Sequence, residues 1–73
     1  MHPIAFHRKA KGWTQTELGK LLGVSLTTVQ AWERGAGPRP RNIPKLAEAL
    51  GLDSAALLRQ IEEWRETGGK EAA

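Results

Sequence analysis

Three residues, Gly23-Val24-Ser25, separate two helical stretches, and this short joint constrains the fold more than any other feature of the chain. Upstream, Thr14-Gln15-Thr16-Glu17 has the spacing of a capping box, in which Thr14 and Glu17 satisfy each other's free backbone donors. Leu18, Leu21 and Leu22 then form an inner face, and Gly23 is a helix stop. Downstream, Ser25 is a cap and Gly35 a stop, with Val29 and Trp32 pointing inward between them. So short a joint cannot fold the two helices back into an antiparallel hairpin with long contacts. It favours a steep crossing. Gly19 agrees with this. A mid-helix glycine costs about 1 kcal/mol relative to alanine, which is tolerable where a side chain would strike the next helix. Leu18, Leu22, Val24, Val29 and Trp32 fill the angle between the helices.

Elsewhere apolar residues recur at helical spacing, and no segment alternates over strand length. The spacing predicts an all-α, compact five-helix domain. A first helix runs from about Pro3 to Lys11 and ends at Gly12, with proline suited to the first turn. The capping-box helix is second, and the third covers 25–34. AGPRPRN follows, where glycine and two prolines forbid a continuing helix. Asn42 is expected to cap a fourth helix, with Ile43, Leu46, Ala47 and Leu50 inward and Gly51 as its stop. Asp53 or Ser54 caps a fifth, whose apolar stripe is Leu57, Leu58, Ile61 and Trp64. One domain is expected over 1–67, followed by a flexible tail, 68–73.

With 73 residues and no cysteine, the chain has room for one modest core. Absent cysteine removes disulfide frameworks, thiolate zinc sites and cysteine nucleophiles together. No stretch reaches the roughly 20 apolar residues of a membrane span, and no apolar run near the N-terminus suits a signal peptide. The expectation is a soluble, cytoplasmic protein. Net charge is +3, unevenly spread. Residues 1–45 hold eight lysines and arginines against Glu17 and Glu33, whereas 46–73 hold three against six acids. A basic front and an acidic back point to a polyanion at one end.

TQTELGKLLGVSLTTVQAWERG resembles the phage-repressor/Cro-type (XRE-like) helix-turn-helix family. The matching features are Thr-Gln opening the second helix, Leu18 followed by the small Gly19, Leu22-Gly23-Val24-Ser25, Val29, and the Trp-Glu-Arg-Gly close. IPKLAEALGLD resembles the family's fourth helix, and the likeness covers about residues 4–58. It implies a helix-turn-helix formed by helices two and three, with the third in the major groove of double-stranded DNA. It also implies that Gln15 binds a phosphate and braces the third helix. Leu26, Thr27, Thr28, Gln30 and Ala31 would lie on or beside the groove-facing surface. Gln30 is suited to adenine, the threonines to base edges or phosphates, and Leu26 and Ala31 to a thymine methyl. Leu26 departs from the polar residue common at its position. Arg34 and Arg39 are expected on phosphates, and Arg41 near the minor groove, where narrow A·T-rich DNA attracts arginine. Arg8 and Glu33 match positions that form an ion pair between helices one and three.

The function expected from these features is a sequence-specific transcriptional regulator, a repressor, acting as a homodimer on a palindromic operator. An antitoxin of a toxin–antitoxin pair and a restriction-modification controller use the same domain type. A protein-interaction module through helix five is a different class, and Trp64 either closes the monomer's core or joins a twofold interface. No enzyme, cofactor or metal site is expected. His2 and His7 do not stack on one helical face, and no phosphate cradle or nucleophile motif appears.

Overall fold

The computed structural model describes residues 1–68, and every regular element among them is helical. Helix α1 spans Pro3–Ala10, α2 Gln15–Leu22, α3 Leu26–Ala31, α4 Ile43–Leu50 and α5 Ser54–Glu66. A π turn, Trp32–Ala36, continues α3, and a 3-10 turn, Pro40–Asn42, leads into α4. These are the five helices that the spacing predicts. Of the tail expected over 68–73, residues 69–73 lie outside the described residues.

Side-chain caps set four of the five starts. The Thr14 hydroxyl accepts the Glu17 N–H at 3.1 Å, and the Glu17 carboxylate accepts the Thr14 N–H at 3.0 Å. These two bonds complete the capping box and hold the Glu17 carboxyl below its ordinary range. Ser25 caps α3 by accepting the Thr28 N–H at 3.1 Å. Asp53, not Ser54, caps α5 by accepting the Ala56 N–H at 2.7 Å. His2 caps α1 through Nδ1, which accepts the Ile4 N–H at 3.1 Å, a role the sequence does not disclose. The exception is α4. Asn42 stands at its start with φ −89° and ψ −15° and makes no side-chain cap. The 3-10 turn has already wound the backbone before Asn42, so the open conformation that a capping side chain needs is absent.

The core is built from Ile4, Leu18, Val29, Trp32, Ile43, Leu46, Ala47, Leu50, Leu57 and Ile61, with Trp13, Leu22, Val24 and Leu52 packed at its edge. Two residues expected inside are not. Leu21 is 56% exposed and Leu58 43%. The close crossing at Gly19 turns the buried arc of α2 onto residues 18, 19 and 22, which leaves Leu21 roughly 100° away at 3.6 residues per turn. Leu58 is displaced by a similar angle from the arc of Leu57, Ile61 and Trp64. Trp64 packs within the monomer, its ring 4.7 Å from that of His2 at 62°.

The joint between α2 and α3 is as tight as its length demands. The Val24 N–H donates to the Gly19 carbonyl at 2.9 Å. A Cβ placed on Gly19 would lie 2.8 Å from the Val24 carbonyl oxygen. Gly23 supplies the left-handed conformation, φ 70°, that ends α2 and starts the turn. The third helix continues beyond the six residues of α3, as the expected span of 25–34 requires, but in the wider π form. It breaks at Gly35, where φ is 110°.

Candidate nucleic-acid interface

Helix α3 presents one side outward because the other is anchored. Val29 is fully buried and Trp32 is 4% exposed. One turn on, Glu33 enters a polar clamp. Arg8 donates from Nε to Glu33 Oε2 at 2.7 Å and from Nη2 to Oε1 at 3.1 Å. Its remaining Nη1 donates to the Trp13 carbonyl at 2.7 Å. Gln15 Nε2 adds a third bond to Glu33, to Oε1 at 3.0 Å. The side chains of Arg8 and Glu33 are 8% and 10% exposed, so this is a buried, bidentate pair. The ion pair expected between the first and third helices is therefore present, as is the brace expected of Gln15.

This clamp has an electrostatic consequence. Between Glu17 and Glu48, Glu33 is the sole acid in the chain. Its charge is neutralised internally, so the surface formed by α3 and the following loop carries no free carboxylate. Arg8 is spent in the same pairing, and the cations left outward are Arg34, Arg39, Arg41 and Lys45, all exposed. The resemblance implies the pairing of Arg8 with Glu33, but its result for the surface is visible only in the folded chain.

On α3, Thr27 is exposed and Gln30 and Ala31 are half-buried, and their spacing of i, i+3 and i+4 places them on one face. Leu26 begins the helix, 43% exposed. Thr28 is half-buried, and its Oγ1 lies 2.8 Å from the Ser25 hydroxyl, so it is partly committed to the cap. The face thus offers one amide, one freely presented hydroxyl and two apolar contacts, the donor and methyl types that read base edges. Arg34 lies beyond it in the π turn. Arg39 sits between Pro38 and Pro40 in an extended conformation, φ −67° and ψ 152°, and Arg41 lies within the 3-10 turn. The two proline rings restrict this arm before any ligand arrives.

A second surface is not legible in the sequence. Pro38, Pro40, Ile43, Pro44, Ser54 and Leu58 line an apolar groove of about 310 Å³ between the loop and the start of α5. Sequence spacing assigns Pro38 and Pro40 only to stiffening the loop, and Leu58 to the core. Among the described residues, no group of three or more His, Asp or Glu side chains is placed to hold a metal ion. No helix among them is long and apolar enough to cross a membrane.

Residues 4–57 match the family model described as helix-turn-helix. No curated protein and no solved structure matches the chain.

Proposed function

The chain belongs to the XRE-type helix-turn-helix family and is a DNA-binding regulator; on that premise we propose that it is a cytoplasmic repressor that binds a palindromic operator as a homodimer. The observation that carries this reading is the acid-free outward surface of α3 and its loop. Helix α3 lies in the major groove, and Thr27, Gln30, Leu26 and Ala31 meet base edges and thymine methyls. Thr28 and Gln15 stand at the flanking phosphates, and Gln15 divides its amide between phosphate and Glu33. Arg34 and Arg39 neutralise phosphates, and Arg41 reaches toward the minor groove. Repression follows from occupancy, because a bound dimer denies polymerase its site.

The groove beside Leu58 supports the dimer. Leu58, 43% exposed, forms one wall of this apolar groove, and a twofold contact would bury it by setting the same apolar surface of each copy against the other. Selection from a random duplex pool tests the whole reading. The expected product is an inverted repeat with half-site centres about 10 base pairs apart. Recovery of unrelated sequences, or a strict monomer in sedimentation both free and on DNA, overturns the operator and dimer respectively.

A further inference from the structure

We infer that Arg65 and Trp64, at the C-terminal end of α5, are positioning residues for the arginine-bearing loop, wedged against Gly37 and Gly35. The inference rests on the DNA-binding reading and adds to it a control element at the C-terminal end of α5.

Two consecutive residues of α5 face two glycines of the loop. A Cβ on Gly35 would lie 2.9 Å from both Cζ3 and Cη2 of the Trp64 ring. A Cβ on Gly37 would collide with the Arg65 guanidinium. Both glycines have positive φ, 110° and 73°, so each is a backbone joint that a side chain would strain as well as block. At Gly35 the approach to the Trp64 ring is this close only because the position lacks a side chain; at Gly37 the neighbour is the flexible end of the Arg65 side chain.

Of the two wedge residues, Trp64 is packed on both sides, whereas Arg65 is exposed. On its other side the Trp64 ring meets His2, which is 3% exposed and fixed by its bond to the Ile4 N–H. The Thr67 hydroxyl donates to the Trp64 carbonyl at 2.8 Å and closes the last turn of α5. The Arg65 charge also helps to hold the His2 pKa down.

Gly37 is the soft joint of the arm, and the segment beyond it is stiff. Pro38 and Pro40 lock their own φ near −65° and restrict the residues before them. A rotation at Gly37 is therefore carried to Arg39, two residues on, and from there to Arg41. Arg65 occupies the space into which Gly37 would swing. Removing its guanidinium frees the joint, and the two arginines lose their fixed direction without losing their charge.

The test compares wild type, R65A, R65K and R65A in an R39A/R41A background, on duplex DNA across a salt series. R65A is expected to lower affinity about tenfold and to flatten the slope of log K against log salt by about one. R65K is expected to remain defective, because a lysine restores the charge but not the planar wedge. Adding R65A to R39A/R41A is expected to change nothing further. Full rescue by R65K, or an additive loss in the R39A/R41A background, makes Arg65 a phosphate contact itself and overturns the inference. So does unchanged binding by R65A. A readout without DNA separates this inference from the reading beneath it. In the free protein, R65A should shift the amide resonances of Gly37, Arg39 and Arg41 and leave those of 26–31 in place. Wild type that fails to bind DNA sinks the functional reading, whereas unmoved loop resonances sink this one.

Discussion

Arg8 grips both carboxylate oxygens of Glu33, with Nε 2.7 Å from Oε2 and Nη2 3.1 Å from Oε1. The pair joins α1 to the π turn that continues α3, and it removes the one acid from the outward surface of α3 and its loop. Replacing Arg8 by alanine leaves a buried carboxylate with only the Gln15 amide as a partner. The expected cost is about 3 kcal/mol, which for a domain of this size lowers the melting temperature by more than about 10 °C. The R8A/E33A double variant should lose less than the two single losses combined. A calorimetric midpoint within about 2 °C of wild type for R8A would contradict the clamp.

Gly19 provides a test in which two effects have opposite sign. Helix propensity alone says that Gly19→Ala stabilises by about 1 kcal/mol. The 2.8 Å approach to the Val24 carbonyl says otherwise, because backbone on the other side of the contact cannot move aside without opening the turn. Urea unfolding should find G19A less stable by about 1–3 kcal/mol. A gain in stability would mean that the α2–α3 crossing is looser than described.

His2 ties stability to pH. Burial is the main cause that lowers its pKa from 6.5 to about 4; Glu33 opposes the shift, and Arg65 and the N-terminal amine add to it. The folded value lies below the unfolded one, so the unfolded chain binds more protons between pH 6.5 and pH 4. The contribution is complete above about pH 6.5 and is lost as pH falls toward 4. It amounts to at most about 3 kcal/mol. Asparagine keeps a capping side chain but does not titrate, so H2N should flatten this part of the profile. Urea titrations of both proteins at pH 7, 5.5 and 4 measure the difference; parallel curves would contradict it.

Base preference and affinity should separate by residue. Gln30→Ala and Thr27→Ala are expected to relax the selected sequence at single positions, at about 1–3 kcal/mol for a lost bidentate contact. Arg39→Ala should weaken all duplexes alike and reduce the salt slope by about 1. Competition binding against single-base operator variants distinguishes them. An unchanged preference in Q30A and T27A would remove base readout from α3.

Much of this architecture is written in local chemistry. Thr14–Glu17, Ser25 and Asp53 are caps whose partners lie three residues away, so sequence spacing alone finds them. Gly19 and the joint Gly23-Val24-Ser25 dictate the crossing because sterics at one position exclude the alternatives. The features that are not legible depend on rotation and on distant partners. Leu21 and Leu58 have helical spacing suited to a core, but the crossing angles turn the buried arcs away from them. His2 caps a helix while lying against Trp64, 62 residues later, and no local pattern marks that pairing. Asn42 is the converse case. Its residue type is right for a cap, but the 3-10 turn ahead of it has already taken up helical backbone. The candidate site follows the same division. Its outward residues follow from the resemblance, but the sequestered charge of Glu33 and the apposition of α5 to the two loop glycines need three dimensions.

The central claim is that the acid-free surface of α3 and its loop binds DNA through Arg34, Arg39 and Arg41. The most direct measurement is duplex binding by fluorescence anisotropy over a salt series, with wild type beside the R34A/R39A/R41A variant. Wild type should bind random duplex at low salt with a slope of log K against log salt of about −3 or steeper, and the triple variant should lose most of that slope. Absence of wild-type binding at low salt, or an equal slope in the triple variant, would contradict the account.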